Sequence, residues 1–303
     1  KGVDPARIQA RRKASGPPTK AYFDALTANK FQWCVAAHPT LAWAEKAFPD
    51  KKGQDAIDAL WDAIFSVCRI TGDGKAVERW RQVVGTIARR AGALNEYQFK
   101  TLRYTNSLGT DLTVALPDNH LWLGGSEKSA AGVEFMANIP TEEIFTAPRR
   151  DGVNGRVYSA LPLALDGNLV KDFYLDFKDG RIVDVHAGEG EEFLRRAIEV
   201  DEGARYLGEV ALVACDSPIR NTGILFYETL FDENASCHLA FGQAYASCVK
   251  GGEDMGPEEQ KAAGLNDSMT HVDFMVGTPD LSIVGTTRDG REIPVFVDGN
   301  FAF

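Results

Sequence analysis

The stretch Asp172-Phe-Tyr-Leu-Asp-Phe-Lys-Asp-Gly-Arg-Ile-Val-Asp-Val-His-Ala-Gly188 decides the fold class. Phe173, Leu175 and Phe177 recur at every second position, which places them on one face of a strand. Asp179-Gly180 follows, a dipeptide suited to a two-residue type I′ turn, and a second alternating run begins at Arg181. The reading is an antiparallel hairpin. Residues 282–299, SIVGTTRDGREIPVFVDG, are expected to repeat the device around Asp289-Gly290. Between the two hairpins, EEFLRRAIEV (191–200) reads as a short amphipathic helix and ARYLGEVALVAC (204–215) as a strand. From about residue 101 onward the chain is therefore β-rich and mainly antiparallel.

Upstream the period changes to that of a helix. In GQDAIDALWDAIFSVCRI (53–70), Ile57, Leu60, Trp61, Ile64, Phe65 and Cys68 fall on one helical face. In KAVERWRQVVGTIARRAG (75–92), Val77, Trp80, Val84, Ile87 and Ala91 do the same, and the helix is expected to stop near Gly92. FQWCVAA (31–37) reads as a buried strand ended by His38-Pro39. The class is α/β: a partial α/β domain over 1–100, expected to lack its upstream part because the chain opens on Lys1, then a β-rich α+β domain with mainly antiparallel sheet over 101–303.

Composition narrows the partners. The 303 residues include 43 acidic and 33 basic side chains, for a formal net charge of -10. That balance speaks against a nucleic-acid backbone or an anionic membrane as main partner and favours a cationic ligand or a metal. Five scattered cysteines with no CxxC pair suggest reduced thiols in a cytoplasmic protein. No run of eighteen apolar residues and no charged-then-apolar leader is visible.

Ionisable residues inside apolar strands need a reason, because an unpartnered buried charge costs several kcal/mol. Glu209 lies in YLGEVALV, and His238 stands in ASCHLAFG. In MTHVDFMVG (269–277), His271 and Asp273 share one strand face, a nitrogen and an oxygen donor placed to serve a first-row divalent metal or to hydrogen-bond each other. Two imidazoles and two carboxylates in similar settings exceed what one structural ion pair requires. NIPTEEIFTAP (138–148) adds Glu142 and Glu143, which point oppositely in an extended segment, so only one of them can face a site. Spacing alone does not choose between them. His38, His120 and His186 fit no ligand pattern and read as structural or surface residues.

LGEVALV, LFYETLFDENASCHLAFGQAY and HVDFMVG, with NIPTEEIFTAP and HPTLAWAEKAFP before them, resemble the M29 metallopeptidases of the aminopeptidase S and aminopeptidase T group along the whole chain. Members of that family extend further upstream than Lys1. The resemblance implies metal ligands at Glu143, Glu209, His238, His271 and Asp273, choosing Glu143 over Glu142, and a site tyrosine at Tyr245. It further implies catalytic roles for Glu143, Glu209 and Tyr245, a homodimer, peptide substrates with a free N-terminus, and breadth at the residue released. Five such donors suit two divalent ions, zinc, cobalt, manganese or magnesium, about 3.5 to 4 Å apart with a bridging carboxylate. The expected activity is a metalloaminopeptidase, with Glu142 or Glu233 as candidate amine anchor or proton shuttle. The rival readings are a mononuclear iron ring-cleaving dioxygenase, which also uses two histidines and a carboxylate, and a catalytically silent binding protein on the same fold.

Overall fold

The computed structural model describes residues 29–165 and 167–303, together with residues 7, 11, 14, 18, 19, 21, 22, 25 and 26. The chain forms two units, one of residues 1–35 and 126–139, the other of residues 36–125 and 140–303. In the larger unit α1 (Leu41–Ala47), α2 (Gly53–Val67) and α3 (Ala76–Tyr97) come first. Helix α2 buries Ala56, Leu60, Ala63, Ile64 and Val67. The expected stripe is rotated slightly: Leu60, Ile64 and Cys68 are inside, while Phe65 is exposed. Helix α3 runs five residues past the expected stop at Gly92. A helical glycine costs about 1 kcal/mol, and full burial of Leu94 two residues later returns about 1.5–3 kcal/mol. The helix ends instead at Gln98, in the left-handed conformation. Val77, expected on the buried face, is exposed because it lies in the first turn.

The strands of this unit form two antiparallel sheets. One joins β1 (Thr101–Thr105), β2 (Asp111–Ala115), β6 (Val153–Tyr158), β7 (Leu163–Leu165), β8 (Asn168–Lys178), β9 (Arg181–Glu189), β13 (Ser282–Thr286), β14 (Glu292–Val297) and β15 (Asn300–Phe301). Its order is β15-β14-β13-β1-β2-β6-β8-β7, with β9 also paired to β8. The β8–β9 turn is as read: Asp179 and Gly180 both have positive φ, 49° and 83°, which matches the right-handed twist of the flanking strands. The second hairpin departs from its expectation. Between β13 and β14 only Gly290 is left-handed, and Gly290 N–H donates to Thr287 O while Thr287 N–H donates to Arg291 O. It is a three-residue loop closed by a glycine bulge.

The other sheet has the order β12-β11-β10-β5, from β5 (Ile144–Thr146), β10 (Leu207–Leu212), β11 (His238–Gly242) and β12 (His271–Met275). Val210, Leu212, Leu239, Phe241 and Phe274 belong to the same core as Leu102, Leu112, Phe173 and Leu175 of the larger sheet. One face of the small sheet is thereby spent on packing. The short helices α4 (Glu191–Ala197), α5 (Pro218–Asn221), α6 (Thr229–Asp232) and α7 (Pro257–Ala262) fill the connections.

The smaller unit holds a two-stranded ladder of β3 (Glu127–Lys128) and β4 (Glu134–Phe135). The buried strand expected over 31–37 does not form. Val35 makes a single bridge to Asn138, and Cys34 and Val35 are exposed. A run of apolar residues makes a strand only where a ladder receives it, and here one bridge is all the partner offers.

Phe274 lies 5.8 Å from Phe173 and 6.2 Å from Phe241, ring centre to ring centre, and is fully buried. Phe274→Ala is expected to lower the unfolding free energy by about 3–5 kcal/mol, measured by urea titration. Asp232, buried at the end of α6, accepts hydrogen bonds from the N–H groups of Phe226 and Glu228, and burial, opposed by those bonds, pushes its carboxyl up to about 6. A raised folded value means that the native state holds the proton more tightly. The stabilisation is complete below the unfolded value of 3.8 and is lost as pH rises through about 6. Between about pH 4 and pH 7 the chain should therefore lose roughly 2 kcal/mol relative to Asp232→Asn. A stability difference that stays constant over that range would show that Asp232 titrates as an ordinary carboxylate.

Candidate metal centre

Alternation along β12 sends His271 and Asp273 to the face of the small sheet opposite Phe274. In the neighbouring strand Ala240 pairs with Asp273 and His238 with Met275, so His238 and Ala240 share that face. Glu209 pairs with Ala240 across β10 and β11, and joins them. The register shifts between Leu207 and Glu209, and this bulge at Gly208 lets Leu207 and Val210 both face the core although they are three residues apart. A side chain at Gly208 would meet Gln243 O at 2.3 Å and Gly242 O at 2.4 Å. The glycine in LGEV therefore aims the glutamate that follows it, a signal of a bulge that alternation alone passes over.

Glu143 precedes β5 by one residue. Ile144 faces the core, so its neighbour Glu143 faces the site and Glu142 the other way. Glu142 lies 2.5 Å from Arg69, a charge contact outside hydrogen-bond alignment. The choice that spacing left open is thus made by the parity of β5, in favour of Glu143.

The five groups meet. His238 Nε2 lies 3.2 Å from Glu143 Oε2 and 3.7 Å from Glu209 Oε1. His271 Nε2 lies 3.3 Å from Glu209 Oε2 and 3.2 Å from Asp273 Oδ1. Glu209 stands in the middle, with one oxygen toward each imidazole. Two potential ligand groups result, Glu143-Glu209-His238 and Glu209-His271-Asp273, each with donor atoms within 4.8 Å of one another. Backbone carbonyls orient both rings: His238 Nδ1 meets Ser236 O at 3.2 Å and His271 Nδ1 meets Gln243 O at 2.8 Å. A carbonyl only accepts, so each Nδ1 carries the hydrogen and each Nε2 is turned to the carboxylates.

His238 is 1% exposed and Glu209 6%, so the charges are costly unless they offset one another. Burial opposes charging of both imidazoles, yet the carboxylates beside them hold His238 and His271 well above the usual histidine range. Burial likewise acts to raise Glu209, but its bonds to both histidines bring it down to about 2. Glu143, with one histidine partner and two like charges nearby, is raised by its burial. The cluster thus favours positive charge beside its carboxylates. Three carboxylate and two imidazole donors suit divalent cations that accept nitrogen and oxygen ligands.

Around this cluster, the Tyr245 ring lies 5.2 Å from that of His271 and 6.1 Å from that of Phe145. Tyr245 remains 45% exposed, and partial loss of water and then the Glu209 and Asp273 charges raise its phenol above the ordinary value. Glu233 is raised by burial and by the charges of Glu143 and Asp273. The remaining histidines have partners of their own: His38 at Pro39 O, His120 at Pro117 O, and His186 at Glu191. Sequence reading did not single out Asn234, whose buried amide contacts both Glu142 and Glu233.

The profile of the family described as thermophilic metalloprotease (M29) matches residues 1–301. Aminopeptidase AmpS of Bacillus subtilis is 47% identical over 303 residues, which cover all of this chain and 73% of that protein. Aminopeptidase T of Thermus aquaticus is 40% identical over 302 residues, 99% of this chain and 72% of that protein. Among solved structures, wild-type AmpT from Thermus thermophilus superposes with a TM-score of 0.92 at 38% identity, covering all of this chain and 73% of that one. A sheet face lined with metal-type donors and kinship along the whole chain lead to one conclusion: this chain belongs to the M29 metalloproteases and is a metalloaminopeptidase, an exopeptidase dependent on a divalent metal.

Proposed function

We propose that the chain removes N-terminal residues from peptides with two divalent ions, zinc, cobalt, manganese or magnesium, held by Glu143, Glu209, His238, His271 and Asp273. One observation carries the reading. Glu209 turns one oxygen to each of two imidazoles, so a single carboxylate belongs to both ligand groups, which is the arrangement of a bridging ligand. When bound, such ions supply Lewis acidity and a water of lowered pKa.

The chain's own residues do the rest. Glu143 and Asp273 each complete one ligand group with a second carboxylate, which sets the negative charge the ions offset. Tyr245 keeps its proton at neutral pH, so its hydroxyl is a donor available to the carbonyl oxygen as charge develops there. Glu142 is occupied by Arg69, which leaves Glu233 as the acid able to receive the substrate's amino group or pass a proton.

The dioxygenase alternative is not favoured by the family match, and the site adds a reason. Among the described residues each ligand group contains one histidine, whereas the iron triad needs two in one group. The intact donor set also speaks against the silent binding protein. We further propose a cytoplasmic homodimer with peptides, and neither nucleic acid nor membrane, as partner. Five scattered cysteines with no CxxC pair support the cytoplasmic reading and the acidic balance the absence of a nucleic-acid partner, the homodimer rests on the family resemblance, and among the described residues no helix is long and apolar enough to cross a membrane. The division into an α/β part through residue 100 and a catalytic part from 101 belongs to the same proposal, with all five ligands in the second part.

Hydrolysis of aminoacyl-p-nitroanilides should vanish on chelation and return on metal add-back. Glu209→Gln should lower kcat by about 100-fold or more, the scale at which one charge-stabilising group is felt. Full turnover in that variant would remove the mechanism. Tyr245→Phe should lower kcat by roughly 10²–10³ with KM little changed. A change confined to KM would instead make Tyr245 a substrate contact.

A further inference from the structure

Glu143 has a weakness that the other proposed ligands lack. His238, His271, Asp273 and Glu209 lie within strands, whereas the β5–β10 ladder begins only at Ile144, paired with Leu212. The residue before Glu143 is tied from elsewhere. Glu142 N–H donates to Asn234 Oδ1 at 2.7 Å, and Asn234 is fully buried in the turn that follows α6. Its Nδ2 donates to Leu230 O at 3.2 Å and to Glu233 Oε1 at 3.4 Å. Its own carbonyl accepts from Ser217 Oγ at 2.7 Å. Both ends of the amide are used, and only its oxygen can accept the Glu142 N–H, so its orientation is fixed.

The same turn leads within two residues to Ser236, whose carbonyl holds His238 Nδ1. Asn234 therefore connects the backbone beside Glu143 to the segment that sets His238. The result is the 3.2 Å approach of Glu143 to His238.

We infer that Asn234 is a positioning residue of the metal centre: through the Glu142 N–H it holds Glu143 in place to complete the ligand group with Glu209 and His238. This rests on the metal-centre reading above. A buried asparagine serving the fold alone would lower thermal stability on substitution but leave the metal affinity of the folded molecules unchanged, so affinity separates the two roles.

The test is calorimetric titration of Zn²⁺ into the metal-stripped full chain, with folding checked by circular dichroism and thermal melting. Asn234→Leu, which removes the acceptor at similar volume, should weaken Zn²⁺ binding by about 10–100-fold, as loss of a support behind a ligand does. If Asn234→Leu does not fold, Asn234→Ser, too short to reach Glu142, takes its place in the comparison. A folded Leu or Ser variant that binds Zn²⁺ like the parent overturns the inference. A parent chain that binds no Zn²⁺ would overturn the metal-centre reading itself, and this inference with it.

Discussion

The structure around the site depends on one buried carboxylate placed between two imidazoles. Burial makes a glutamate at position 209 costly, and nothing apolar nearby offsets that cost. The two histidines do, one to each oxygen, and they in turn need Glu143 and Asp273. The group is stable only as a set, because removal of one member leaves another charge buried without a partner. Three carboxylates around two imidazoles give the group an excess of acceptors, which suits a divalent cation.

Such a set can exist only where a rigid surface supplies donors from several strands at once. The small sheet does so by dividing its faces. Phe241, Phe274 and Val210 anchor one face in a core shared with the nine-stranded sheet, and the positions between them are then fixed by the pleat. Precision at the site is in this sense a by-product of hydrophobic packing on the reverse side. The bulge at Gly208 is the one adjustment, and it brings Glu209 onto the face of Ala240 while keeping Leu207 in the core.

The supports behind the proposed ligands are mostly backbone. Carbonyls of Ser236 and Gln243 orient the rings, and Ser236 is itself tied to Gly277 by its side chain, which accepts the Gly277 N–H at 2.9 Å. Backbone supports tolerate changes of side chain nearby. Where Glu143 leaves the ladder, a side chain takes over that task, and Asn234 is the residue so placed.

Sequence by itself determined what is local. The period-two runs around Asp179-Gly180, the helical stripe of α2, and the pairing of His271 with Asp273 on one face follow from alternation and turn chemistry, which need no distant partner. The DENASCH and HVDFM runs also carried the family, and the resemblance implied the five residues that the fold brings together. Tertiary structure decided the rest. The apolar run at 31–37 found one bridge instead of a ladder, α3 continued through Gly92 because Leu94 had a core to enter, and the second hairpin took a longer loop. Spacing could not tell Glu142 from Glu143; the resemblance favoured Glu143, and the physical reason, Ile144 facing the core, lies in the tertiary structure. Asn234 shows no pattern at all in the sequence, since what matters is a backbone N–H 92 residues away. Short-range preferences are written in neighbouring residues, while the meeting of five donors is set by strand register and by a shared core, which belong to the whole chain.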